Sequence, residues 1–202
     1  MKLRVGILGG TFCPIHFGHL RMGIEVAEQT GLNRIMLMPN NVPPHKEAPS
    51  VSAQDRLMMC RLAAQTCPLF TVSDLEISRG KLSYTINTVM ELTQQNPHCD
   101  FSFITGADSL INSVWYKFDE ILARLEYFYV LNRPGVTFDE LRYKLEQMNL
   151  QNAEKIIWVD APGLEISSTQ IRELLASGRS AQYLVPECVL EYIKVRRLFR
   201  QQ

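Results

Sequence analysis

The chain has 202 residues, 46% of them hydrophobic and 21% charged, a length and composition suited to one globular domain that buries roughly 70% of the unfolded chain's surface. Its 21 basic and 21 acidic side chains cancel at neutral pH, which excludes long-range attraction to nucleic acid or membrane and makes any anion site local. No run approaches the ~18 apolar residues needed to span a bilayer, and five cysteines without a CxxC pair or a secretory leader read as reduced thiols in a cytoplasmic protein.

Leu3 to Leu8 is an apolar run of strand length that feeds the Gly9-Gly10 pair. A helix is expected from about Gly18 to Thr30, with Gly31 as its stop, followed by a buried strand at Arg34–Met38. Four prolines mark 39–49 as a surface loop. Ser52 caps the next helix, whose apolar face is read as Leu57, Met58, Leu62 and Ala63. Phe70–Val72 is a short strand. Ser83-Tyr84-Thr85 precedes a helix that stops near Asn96-Pro97. Phe101–Thr105 is a strand ending at Gly106-Ala107-Asp108, and short helices run on through Trp115 and Phe118 to Leu125. Tyr127–Leu131 and Lys155–Val159 are the last strands, separated by a polar helix over Phe138–Met148. Two helices, Ser168–Ala176 and Pro186–Phe199, close the chain.

Short apolar strands alternating with helices predict an α/β fold: a doubly wound, mostly parallel, Rossmann-like sheet with helices on both faces. The core sheet is expected over about 1–165 and a short helical segment over about 166–202. In such sheets ligands sit beyond the strand C-termini. The Gly9–Phe12 turn, the Asn40–Lys46 loop, Gly106–Asp108, Arg133 and Ile166–Thr169 all follow strands and should converge on one edge.

Two stretches carry chemistry. A strand that ends in glycines before a helix leaves backbone N–H groups free and presents the positive end of the helix dipole, a phosphate cradle. His16 and His19, three apart, can share one face of that helix, and no third ligand at metal-binding spacing accompanies them. Ile166-Ser167-Ser168-Thr169-Gln170-Ile171-Arg172 offers hydroxyls and N–H groups at a helix start, with an arginine one turn in. In isolation the glycine pair is punctuation and the second stretch an ordinary N-cap with a solvated arginine.

Together they resemble the T/S-F-x-P-x-H-x-G-H and I-S-S-T-x-I-R motifs of the nucleotidyltransferase superfamily. The string Gly-Gly-Thr-Phe-x-Pro-Ile-His resembles in particular the bacterial nicotinate-mononucleotide adenylyltransferases. The resemblance extends to Pro43-Pro44-His45-Lys46, Gly106-Ala107-Asp108-Ser109, Trp115-Tyr116 and Asn132-Arg133-Pro134-Gly135. It implies adenylyl transfer from ATP to nicotinate mononucleotide, giving nicotinate adenine dinucleotide and pyrophosphate, with Mg2+ held mainly by phosphates and water. His16, His19 and Arg172 would be catalytic; Gly9, Gly10, Thr11, Phe12, His19, Gly106, Asp108, Ser168, Thr169 and Arg172 would bind ATP. Asn40, Lys46, Thr85, Asp108, Trp115, Tyr116 and Arg133 would bind the mononucleotide, with Trp115 as platform for the pyridine ring.

One position departs: Cys13 stands where the family usually has aspartate, and its place near a helix N-terminus raises the expectation of a reactive, low-pKa thiol as an even alternative to a passive small residue. Sister enzymes acting on phosphopantetheine or nicotinamide mononucleotide are the nearest rivals; the Trp115 region and the chain length argue against the first. A purely nucleotide-binding module would need no donors at the alpha-phosphate. Oligomeric state is left open, a homo-oligomer included.

Overall fold

The computed structural model describes residues 2–42, 49–131, 137–161 and 164–200. β1 (Leu3–Gly10) buries Val5 and Ile7 in one core and Leu8 in the other, the two-sided burial that parallel strands require. α1 (Phe17–Thr30) follows and ends at Gly31, whose φ of 71° is the left-handed C-cap expected there. β2 (Arg34–Pro39), α2 (Ala53–Ala64) and β3 (Phe70–Val72) complete the first half. α3 (Leu75–Arg79), α4 (Thr85–Gln95), β4 (Cys99–Gly106), α5 (Ala107–Asn112) and α6 (Phe118–Arg124) come next. β5 (Phe128–Leu131), α7 (Phe138–Met148), a short 3-10 turn, β6 (Ile156–Val159), α8 (Ser168–Ala176) and α9 (Glu187–Val195) finish the order.

The six strands pair in the order β3-β2-β1-β4-β5-β6, every neighbour parallel. The order reverses between β1 and β4, so the connections leave those two strands in opposite directions and open a crevice beyond their C-terminal ends. Helices cover both faces. α1, α2, α8 and α9 contribute to one core through Val26, Cys60, Ile171 and Val189. Val89, Leu110, Leu122 and Leu141, from α4 to α7, contribute to the other. The sheet is the doubly wound one expected, and it is parallel throughout.

The C-terminal helix is pinned to α2 by a polar latch. The Asp55 carboxylate accepts from Tyr192 Oη at 2.8 Å, Arg196 Nε at 3.3 Å and Ser52 Oγ at 2.5 Å. Burial pushes that carboxyl up, but the three donors outweigh it and hold it below the usual aspartate range. No described helix is long and apolar enough to cross a membrane.

The sequence-based expectations differ from the structure in four places. On α2 the inward face is Leu57, Met59, Cys60 and Ala63, while Met58 is exposed; Leu-Met-Met-Cys is apolar throughout, so periodicity could not choose a side. α3 was not expected, because five residues show no period. Trp115 lies between α5 and α6 rather than within a helix, and the last helix ends at Val195.

Candidate active site

β1 delivers the Gly9-Gly10 pair to the crevice. A side chain at Gly10 would meet the Phe12 ring at 3.0 Å, so the ring packs back onto the turn only because the residue is glycine. Phe12 itself is buried at φ 48°, and its ring sits edge-on to His19 at 5.0 Å.

His16 is the N-cap of α1 and His19 its third residue. The His16 N–H donates to His19 Nδ1 at 3.3 Å, so a histidine takes the place of the glutamate that usually reaches back in a capping box. An Nδ1 that accepts carries no proton, which puts the ring's N–H on Nε2, the far side. The two rings stack at 3.7 Å. Gly18 makes this possible: a Cβ there would approach His16 Nδ1 to 2.9 Å and the Ile166 carbonyl to 3.4 Å.

The other motif arrives from the opposite end of the chain. Ser167 caps α8 by accepting from the Gln170 N–H. Ser168 Oγ donates to the Pro14 carbonyl at 2.9 Å, and Arg172 Nη1 donates to the Cys13 carbonyl at 3.0 Å. Arg172 Nη2 donates to Thr169 Oγ1 at 3.1 Å, so two of the five guanidinium N–H groups serve the protein and the others take no partner among the described residues. One cleft of about 780 Å³ is lined by Gly9 to Cys13, His16, His19, Gly106, Asp108, Ser168, Thr169 and Arg172. The two motifs therefore meet at the switch point.

A second, smaller cavity opens from the same turn, sharing Gly9, Gly10, Thr11, Thr105 and Ser109 with the first. Asn40, Thr85, Trp115 and Tyr116 line it. Thr85 is the first residue of α4, so the positive end of that helix faces the cavity. Trp115 packs edge-on against Phe103 and Phe128 at 5.7 and 5.1 Å, and its Nε1 is buried without a hydrogen-bond partner among the described residues. Asn40 Nδ2 donates to Thr11 Oγ1 at 3.2 Å, while its buried Oδ1 likewise lacks a partner there. Lys46 and Arg133, and the Pro43–Lys46 loop with them, lie outside the described residues.

Sequence reasoning missed two charged residues. Glu76 lines the smaller cavity and is buried, accepting from Thr88 Oγ1 at 2.6 Å. Burial pushes its carboxyl up, against the hydrogen bonds from Thr88 and Ser83 and the charge of Arg79. The folded chain thus holds this proton more tightly than the unfolded one. The stabilisation it gives is complete below the ordinary glutamate range and is lost as pH rises through the raised folded value. Glu76→Gln is expected to raise the thermal midpoint above that of the wild type at pH 8, the gap closing toward pH 4. Midpoints that differ equally at both pH values would contradict the assignment. The second missed residue is Arg56, buried at 1% exposure behind the Thr11 turn. Neither has a sequence signal, since each is one of two or three charges on a helix of mixed pattern.

Cys13 lacks the exposure and the lowered pKa that a reactive thiol needs. It is 5% exposed, and burial pushes its pKa up despite the charges of Arg172 and Arg56 and contacts to Ser50 and the Val51 backbone. It works as a small packed residue that joins the turn to the segment before α2.

Residues 7–174 match a family model described as cytidylyltransferase-like. The chain belongs to this family. A nicotinate-nucleotide adenylyltransferase of Escherichia coli is 38% identical over 214 residues, spanning 99% of this chain and all of that protein. A protein of Pseudomonas putida named as a probable nicotinate-nucleotide adenylyltransferase is 41% identical over 209 residues, spanning 98% of this chain and 90% of its own length. Among solved structures, the Plasmodium falciparum nicotinic acid mononucleotide adenylyltransferase complexed with NaAD aligns over 97% of both chains with a TM-score of 0.77. At 18% identity that last likeness speaks for the fold. The cytidylyltransferase-like chain is thus similar along its whole length to nicotinate-nucleotide adenylyltransferases.

Proposed function

We propose that the protein transfers the adenylyl group of ATP to nicotinate mononucleotide, in the cytoplasm, as a step of NAD synthesis. A 5′-phosphate oxygen of the mononucleotide attacks the alpha-phosphorus, the bond from that phosphorus to the bridging oxygen of the beta-phosphate breaks, and its electron pair leaves with pyrophosphate. The observation that carries the reading is the single cleft lined by the glycine turn, the histidine pair and the start of α8, continuous with the smaller aromatic cavity.

The nucleophile is an ionised phosphate and needs no strong base. What the reaction needs is two polyanions held in line, which is worth ~7–11 kcal/mol in favourable cases, and donors at the developing charge, worth ~3–4 kcal/mol each. His19 Nε2–H and the Phe12 N–H are our donors at the alpha-phosphate, with His16 stacked behind His19. The Arg172 N–H groups not used on Cys13 and Thr169, with the N-terminus of α8, take the beta- and gamma-phosphates. Asp108 receives ribose hydroxyls. Thr85 and the Tyr116 N–H receive the nicotinate carboxylate, and Asn40 Oδ1 and Trp115 Nε1 find their missing partners on the mononucleotide.

Among the described residues no group of three His, Cys, Asp or Glu could hold a metal, and Asp108 is the lone carboxylate in the larger cleft's lining. That donor set fits Mg2+ entering on the phosphates of ATP and keeping its waters. When bound, the ion neutralises part of the triphosphate charge.

The test is to mix protein, MgATP and nicotinate mononucleotide and measure pyrophosphate, with nicotinamide mononucleotide and phosphopantetheine as parallel acceptors. Release with the nicotinate acceptor alone, or far faster with it, is expected; release only with phosphopantetheine overturns the reading. Trp115→Ala is expected to raise KM for the mononucleotide about tenfold or more, the loss of one aromatic stacking partner, with KM for ATP little changed. A change confined to ATP would show that the cavities are assigned the wrong way round.

A further inference from the structure

Arg56 sits on α2 and forms no ion pair with a carboxylate among the described residues; neighbouring Asp55 spends its carboxylate on Ser52, Tyr192 and Arg196. Arg56 Nη1 donates to the Thr11 carbonyl and its Nη2 to the Asn41 carbonyl, both at 2.8 Å. Its Nε is buried and without a partner among the described residues. The ionisable groups that face it among the described residues are the Cys13 and Cys60 thiols, which burial keeps protonated and uncharged. A guanidinium keeps its proton under all ordinary conditions, and burying it away from a counter-ion is costly. A charge retained at such a cost points to an anion that is not part of the chain.

The peptide geometry says where that anion lies. The peptide between Thr11 and Phe12 is trans, so its N–H points opposite to its carbonyl. With the Thr11 carbonyl drawn back onto Arg56, the Phe12 N–H faces away from α2. Thr11, Phe12 and His19 are on the wall of the larger cleft. The same guanidinium ties the Asn41 carbonyl to that turn, so one side chain sets the spacing between the two loops that follow β1 and β2. Arg172 treats the Cys13 carbonyl in the same way from the other side.

We propose that Arg56 is a positioning residue for adenylyl transfer: it aims the Phe12 N–H at the triphosphate by holding the Thr11 carbonyl, and the bound phosphates complete its charge from across the turn. The proposal rests on the reading of the cleft as a nucleoside triphosphate site. It implies that the chain without an anion carries an unbalanced charge at this point, relieved when polyphosphate binds.

The experiment compares wild type, Arg56→Met and Arg56→Lys by calorimetric titration with inorganic tripolyphosphate, by steady-state kinetics and by circular dichroism. Arg56→Met is expected to fold and to bind tripolyphosphate about tenfold or more weakly than wild type. Arg56→Lys keeps the charge but cannot span both carbonyls, so its tripolyphosphate affinity should stay within about threefold while kcat falls about tenfold or more. A purely structural arginine would change the thermal midpoint of either variant and leave tripolyphosphate affinity alone. Unchanged affinity in folded Arg56→Met, or wild-type kcat in Arg56→Lys, overturns the proposal. If Arg56→Met does not fold, the kcat of Arg56→Lys decides. A wild-type chain that binds tripolyphosphate but adenylylates no nicotinate mononucleotide would sink the functional reading, while the affinity comparison would still judge Arg56. A wild-type chain that binds no tripolyphosphate overturns both.

Discussion

Replacing His19 with alanine is expected to lower kcat by about two to three orders of magnitude, with the fold intact. The magnitude is that of removing one aimed donor from a site of developing charge. His19 is suited to the role because its orientation is imposed twice. The His16 N–H fixes Nδ1 as an acceptor, and the rings of Phe12 and His16 confine the imidazole between an edge and a face. The N–H on Nε2 is therefore aimed before substrate arrives. Stability should fall modestly: the 3.3 Å hydrogen bond at the helix start is worth about 1 kcal/mol, and the ring contacts to Phe12 and His16 go with it. Saturating kinetics on the purified variant, with its circular dichroism spectrum, measure both. A well-folded variant with wild-type kcat would remove His19 from the chemistry.

The second large effect is expected at Arg172. Arg172→Ala should lower kcat/KM for ATP by about a thousandfold, because one side chain holds the Cys13 carbonyl and the Thr169 hydroxyl and, in the proposed reading, the substrate phosphates as well. Arg172→Lys should recover little of this, since an ammonium cannot serve the carbonyl and the hydroxyl while also reaching a phosphate. Full activity in the lysine variant would mean that only a point charge is needed, and that the contact between α8 and the turn is incidental.

The strands were legible because a parallel strand buried on both faces has to be apolar at successive positions, and each of the six runs is short and bounded by turn residues. The helix ends were legible where chemistry marked them, at Gly31 and Ser52. The side of α2 that faces inward was not, because Leu57 to Cys60 is apolar on every side. The two motifs were legible at opposite ends of the chain, and their meeting was expected because ligands of doubly wound sheets sit beyond the strand C-termini; the 3-2-1-4-5-6 order puts that edge at the β1/β4 switch point. Arg56 and Glu76 were invisible for a different reason. A buried charge is recognised by what surrounds it, and the partners of Arg56 are backbone carbonyls at Thr11 and Asn41, which have no signature in a sequence. At Cys13 the sequence left a reactive and a passive reading even, because nearness to a helix N-terminus could be weighed and burial could not; burial favours the passive one.

The account depends on one triphosphate being held by the Gly10–Phe12 turn and the start of α8 together. The direct measurement is an amide titration by two-dimensional NMR with a non-hydrolysable ATP analogue, following Thr11, Phe12, Ser168 and Thr169. Shifts of all four that fit one shared dissociation constant are predicted. Movement at one segment alone, or two unrelated constants, would contradict it.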